Sequence, residues 1–186
     1  MSQVAMTLDQ IVGFARRAKS LMSRADLLWL CTLAQAAPDG PGVEIGVYCG
    51  ASVIAWSLAR AGRGSVTGVD NWSYRDIANL KTTCEANFLW AGVEAQLIDA
   101  DSVQAAEQVT APLSFCFIDG DHTLSGVKRD IEAWSPKIIS GGVLVFHDYG
   151  RHKNDCKVTE AVDAWQAQVK WIELGIAETA IGFRKP

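Results

Sequence analysis

The sequence predicts an α/β protein built on a doubly wound, mostly parallel sheet, and three observations carry that expectation. Short apolar runs near 42–46, 65–70, 94–99, 113–118 and 142–147 alternate with helical stripes near 51–61, 75–90, 102–109, 123–135 and 157–170. Two of the runs, 113–118 and 142–146, are continuous rather than alternating, the pattern of strands covered on both faces. The tail, 171–176 and 179–183, reads as a hairpin turning near Ala177-Glu178. Five βα units closed by a hairpin give a seven-stranded sheet.

The elements run in order. Leu8, Ile11, Val12 and Ala15 share one helical face, and Ser23 caps a second helix along which Leu27, Leu30, Cys31 and Ala34 align. Pro38-Asp39-Gly40-Pro41 ends that helix, so residues 1–40 form a helical extension or cap on the sheet. Leu124, Val127, Ile131 and Trp134 mark the helix after the fourth strand, stopped by Pro136. Val158, Ala161, Val162, Trp165 and Val169 mark the last. No repeat or linker divides the chain, and 186 residues suit a single domain spanning 1–186.

Composition narrows the function classes. A net charge of −4 argues against a general nucleic-acid partner, because neutralising phosphates needs a basic surface. No apolar run approaches a membrane span, and Arg16, Arg17 and Lys19 come after no long apolar segment of the kind a secretory signal carries. The cysteines Cys31, Cys49, Cys84, Cys116 and Cys156 lack paired spacing, as expected of reduced thiols in a cytoplasmic protein. The apolar N-terminal helix pair suits a homodimer.

In a doubly wound sheet, ligands sit at the carboxyl ends of the strands. The first strand runs into Glu44-Ile45-Gly46-Val47-Tyr48-Cys49-Gly50-Ala51-Ser52, and the second ends in Asp70, twenty positions past Gly50. The loop does not match the dinucleotide fingerprint, since its glycines are four apart and an acid precedes them. Its backbone N–H groups suit a carboxylate as well as a pyrophosphate, and Asp70 suits ribose hydroxyls. Trp72 comes next as a cover for a nucleobase or as packing. After the third strand, Asp101 and Ser102 suit an adenine edge or the cap of the next helix. The fourth strand ends in Phe117-Ile118-Asp119-Gly120-Asp121-His122 and the fifth in His147-Asp148-Tyr149. Asp119, His122, His147 and Asp148 thus meet at two adjacent strand ends, which looks like chemistry, while Asp121 reads as a helix cap.

On these motifs the chain resembles the class I S-adenosylmethionine-dependent methyltransferases, of the Rossmann-like methyltransferase fold. It is similar to a small bacterial group with Phe-Ile-Asp-Gly-Asp-His and Gly-Gly-x-x-x-x-His-Asp-Tyr at the fourth and fifth strands. The resemblance spans roughly residues 40–184. It implies a cofactor site of Glu44, Gly46, Gly50, Ser52, Asp70, Trp72, Asp101, Ser102 and Asp119. Metal-dependent catechol-type relatives carry an acid at the position of Asp119 and a ligand pair after the fifth strand, where this chain has His147-Asp148. A divalent ion (Mg²⁺ or Mn²⁺) on Asp119, His147 and Asp148 is therefore open; a histidine suits a transition ion better than Mg²⁺. His122 stands where those enzymes carry a lysine, and its imidazole suits proton removal near neutral pH.

The expected activity is O-methylation of a small-molecule hydroxyl, with His122 and Asp119 catalytic. Two alternatives are a 2-His-1-carboxylate oxygenase on Asp119, His122 and His147, and a non-catalytic module that holds the nucleoside. The walls of the site would come from the N-terminal helices, the segment 72–80 and the loop after Tyr149. In that loop the three basic residues Arg151, Lys153 and Lys157 read as a solvated stretch or as a receiver for an anionic substrate.

Overall fold

The computed structural model describes residues 6–74, 77–151 and 155–186. In chain order the elements are α1 (Leu8–Ala15), α2 (Arg24–Ala36), β1 (Gly42–Ile45), α3 (Ala51–Arg60), β2 (Val66–Asp70), α4 (Leu80–Ala91), β3 (Gln96–Asp99) and α5 (Ser102–Gln108). After these come β4 (Leu113–Ile118), α6 (Leu124–Trp134), β5 (Ile138–Phe146), α7 (Val158–Gln166), β6 (Ile172–Ala177) and β7 (Ala180–Arg184). The seven strands lie in the order β3-β2-β1-β4-β5-β7-β6. The first five are parallel, and β7 runs antiparallel between β5 and β6.

Alternation along β4 explains why its sequence shows no polar face. Phe115 and Phe117 pack with α1 to α4, whereas Cys116 and Ile118 pack with α5, α6 and α7. Both faces are therefore apolar, and β4 is buried along its whole length. Because the strand order reverses between β1 and β4, their loops diverge and open a crevice at the carboxyl edge. None of the five cysteines forms a disulfide, and four of them are buried. No helix among the described residues is long and apolar enough to cross a membrane.

Several boundaries differ from the periodicity. β5 begins at Ile138, four residues before the expected start, because Gly141 (φ 76°) and Gly142 allow a bulge between the Leu113 and Phe115 pairings. A glycine pair reads as a break in sequence although the strand passes through it. α4 starts at Leu80, after Asn79 in a left-handed conformation (φ 58°); residues 75 and 76 of the expected helix lie outside the described residues. α7 stops at Gln166, and the hairpin turns at Glu178 (φ 44°) and Thr179. At the N-terminus, Thr7 and Gln10 cap α1 reciprocally, and Ser23 caps α2 as expected.

Candidate active site

After β1 the chain turns through three left-handed residues, Gly46 (φ 85°), Tyr48 (φ 52°) and Gly50 (φ 83°). Two of them are glycines for steric reasons. A Cβ on Gly46 would lie 2.0 Å from the Asp119 carbonyl oxygen, and one on Gly50 would lie 2.4 Å from the Phe88 ring. Asp70 fastens this turn: its Oδ2 accepts the backbone N–H groups of Val47 and Tyr48, both at 2.9 Å, and its Oδ1 accepts that of Trp72 at 2.7 Å. A carboxylate has about four acceptor positions, so one on Oδ1 is left for a ligand in the cavity that Asp70 lines.

Glu44 lies beneath the turn, fully buried, and does not line the cavity. Its oxygens accept the Ser52 hydroxyl at 2.5 Å and the Trp56 indole N–H at 2.7 Å, tying β1 to α3. Burial pushes its carboxyl up to about 8, against the pull of those two donors. Trp72 also turns from the cavity. In a left-handed conformation (φ 55°), it packs on the core formed with α1 to α4, and Asn71, Ser73 and Tyr74 face the opening instead. Asp101 caps α5 through Val103 N–H at 3.0 Å, and the Ser102 hydroxyl accepts the Trp134 indole N–H at 2.8 Å; both residues line the cavity. Asp121 accepts the backbone N–H of Thr123 at 2.9 Å, and Thr123, not Asp121, caps α6.

The cavity holds about 780 Å³ at the carboxyl edge. Lys19 to Met22, ahead of α2, form one wall, and Tyr74, Arg151 and Cys156 contribute to the others. These are the three segments expected to close it, although His152 and Lys153 lie outside the described residues.

At the ends of β4 and β5 the titratable groups meet. His122 Nε2 lies 3.4 Å from Asp119 Oδ1 and 3.4 Å from Asp148 Oδ2. His147 Nδ1 lies 3.1 Å from Asp119 Oδ1, while its Nε2 faces the Thr179 hydroxyl at 3.2 Å and Asp26 Oδ2 at 3.6 Å. Asp148, itself left-handed (φ 59°), also receives Arg151 at 2.7 Å. Burial alone would raise the Asp119 carboxyl, but the two imidazoles outweigh it and hold it at about 2. Burial opposes the charge on His147 as well, yet Asp119, Asp26 and Asp148 together raise it to about 10. Asp119 lifts His122 above the ordinary imidazole value against partial burial.

Ligand atoms of Asp119, His122 and Asp148 all lie within 4.8 Å of one another, the one such group among the described residues. The expected set had His147 in place of His122. His147 Nδ1 lies 3.1 Å from Asp119 Oδ1 and 3.6 Å from Asp148 Oδ1, while its Nε2 faces Thr179 and Asp26.

Asp26 was not legible as a site residue. It sits in the first turn of α2, where an acid reads as a helix-dipole partner. In the fold it is buried and accepts the backbone N–H groups of Thr179 and Ala180 at 3.0 and 2.9 Å. Ser23 and Asp26, spaced as a cap, were the available signal.

Residues 43–149 match a protein family described as "Methyltransferase domain". The chain belongs to that family. The class I resemblance thus holds, and a non-catalytic or oxygenase reading gives way to a transferase. Solved structures share the fold of this methyltransferase. A protein from Corynebacterium glutamicum is 17% identical with a TM-score of 0.70, over 99% of this chain and 92% of that one. A methyltransferase from Podospora anserina, bound to S-adenosylhomocysteine, is 14% identical with a TM-score of 0.68, over 100% and 91%. An rRNA methylase from Streptococcus thermophilus is 15% identical with a TM-score of 0.65, over 89% and 99%. The fold therefore also serves an enzyme named for RNA, and the expected exclusion of a nucleic-acid partner is not supported.

Proposed function

We propose that this methyltransferase transfers a methyl group from S-adenosylmethionine to the hydroxyl of a small molecule, with His122 as the general base. The observation that carries the reading is His122 Nε2, 3.4 Å from each of two carboxylates at the mouth of the cavity. The cavity chemistry fits the cofactor. Asp70, Asp101, Asp119, Asp121, Asp130 and Asp148 line it and outnumber the cations Lys19, Arg129 and Arg151, leaving an acidic wall. Such a wall repels a pyrophosphate but favours a sulfonium nucleoside. The turn from Gly46 to Gly50, with Asp70, Asp101, Ser102 and Asp119, would hold it. Glu44 and Trp72 would act from behind, one by bracing the turn and the other by packing. When bound, S-adenosylmethionine supplies an electrophilic methyl group on sulfur.

The residues of the chain then have two tasks. Walls formed by Lys19–Met22 and Tyr74 hold the acceptor oxygen in line, and these loop walls suit a compact substrate. His122 takes the hydroxyl proton on Nδ1 as the oxygen attacks, its Nε2–H being directed at Asp119 and Asp148. Asp119 and Asp148 stabilise the imidazolium so formed, and their effect raises its basicity.

A second reading is favoured by the same trio. A divalent ion on Asp119, His122 and Asp148 would lower the hydroxyl pKa instead. Two carboxylates and an imidazole fit Mn²⁺ or another transition ion. The two readings exclude each other at His122, since a neutral imidazole has a single ring lone pair and one given by Nε2 to an ion leaves none on Nδ1 for the proton.

Calorimetry with S-adenosylhomocysteine, with and without Mn²⁺, tests both. One-site binding is expected; no heat and no thermal shift at about 1 mM ligand overturns the cofactor assignment. Turnover that survives EDTA supports His122 as the base, and turnover lost to EDTA and restored by Mn²⁺ supports the metal.

A further inference from the structure

Asp130 is a buried acid that neither task uses. It sits in α6 with only 4% of its surface exposed, yet it lines the cavity, at the side floored by Ala100, Asp101 and Ser102. Gly120 makes room for it, since a Cβ there would come within 3.3 Å of Asp130 Oδ2. A carboxylate accepts about four hydrogen bonds. Among the described residues Asp130 has one hydroxyl neighbour, Ser102, whose oxygen already accepts the Trp134 indole N–H. Its other charged neighbours are Asp101 and Asp121, which repel it, and Arg129. An acid so buried and so thinly supplied with donors is costly unless a ligand brings one.

We propose that Asp130 reads the nucleobase of the cofactor, accepting a hydrogen bond from the exocyclic amine of adenine. The inference rests on the nucleoside reading above and adds the residue that sets its base specificity. Ser102, fixed by Trp134, positions the Asp130 carboxylate, so the acceptor is in place before the ligand arrives. Burial and the two neighbouring acids raise its carboxyl to about 6, which still leaves it mainly ionised, and hence an acceptor, near neutral pH. A base with a carbonyl in place of the amine meets oxygen against oxygen. Sites that satisfy a buried polar group with a specific ligand atom discriminate strongly when that atom is exchanged.

The test compares S-adenosylhomocysteine with S-inosylhomocysteine, in which the amine is replaced by a carbonyl, by calorimetry at pH 7.5. Wild-type protein is expected to prefer the adenosyl compound by roughly a hundredfold. Asp130→Asn, whose amide can donate to the carbonyl, is expected to cut that preference at least tenfold by weakening the first ligand and strengthening the second. Equal affinity of wild-type protein for the two compounds overturns the inference without any variant. So does a folded Asp130→Asn protein that keeps the full preference. Failure of wild-type protein to bind either compound defeats the nucleoside reading itself, and this inference with it.

Discussion

His122 and His147 lie beyond adjacent strands and share one acid, Asp119, yet their surroundings assign them opposite work. The His122 side chain is 42% exposed, approached by two carboxylates on one side and by the cavity on the other. His147 is 6% exposed, and Asp119, Asp148, Asp26 and Thr179 surround it. An imidazole must gain and lose a proton during turnover to serve as a base. Held at about 10, His147 keeps its proton and acts as an internal cation among three acids. His122, raised less and open to the cavity, can exchange. The residue type is the same, although His147 directly follows β5 and His122 lies four residues past β4; burial and the number of acids separate the two further.

That contrast can be broken in stages. The largest effect belongs to His147→Ala, which strands Asp26 and Asp119 without their common partner. Urea denaturation is expected to show a loss of about 3–5 kcal/mol, the range for removing one member of a buried ion pair. The pH dependence carries the sign. Because His147 is raised from 6.5 to about 10, its stabilisation is complete below 6.5 and lost as pH rises toward 10. In metal-free protein the wild-type advantage over His147→Ala should therefore shrink across that window; an advantage constant from pH 6.5 to 10 would contradict the imidazolium assignment.

His122→Ala comes next. Turnover should fall about 10²-fold while affinity for S-adenosylhomocysteine stays within about twofold, as for loss of a general base. A matching loss of affinity would place His122 in the binding machinery instead. Asp70→Ala acts on the other side of the site: without the acceptor that fastens Val47 and Tyr48, affinity for S-adenosylhomocysteine should drop at least tenfold, roughly 1.4 kcal/mol. The smallest expected effect is that of Mn²⁺ on thermal unfolding. A rise of a few degrees, about what 1 kcal/mol gives in a domain of this size, should vanish in Asp148→Ala if the trio holds an ion.

The strand ends were legible because buried parallel strands announce themselves as unbroken apolar runs, and the residues just past each run must lie at the ligand edge. Asp119, His122, His147 and Asp148 were therefore gathered correctly at one edge, but their partners were not. Which ring nitrogen each histidine turns toward Asp119 and Asp148 depends on side-chain direction, and Asp26 reaches the site from 153 residues before Thr179. No local pattern encodes a contact of that span. Trp72 was misleading for a related reason: its place after β2 suggests the cavity, but a left-handed backbone swings the ring into the core. Glu44 shows the reverse, an acid expected at the ligand that the alternation of β1 sends beneath it. Asp130 reads on sequence only as a polar interruption of the α6 stripe.

Gly46 rests against the backbone of Asp119, with no room for even a methyl group between them. The turn proposed to hold the donor and the acid beside the proposed base therefore share a single close-packed baseplate. Any broadening of acceptor range must come from the rim, where Lys19–Met22 and Tyr74 can be rebuilt without disturbing the chemistry beneath.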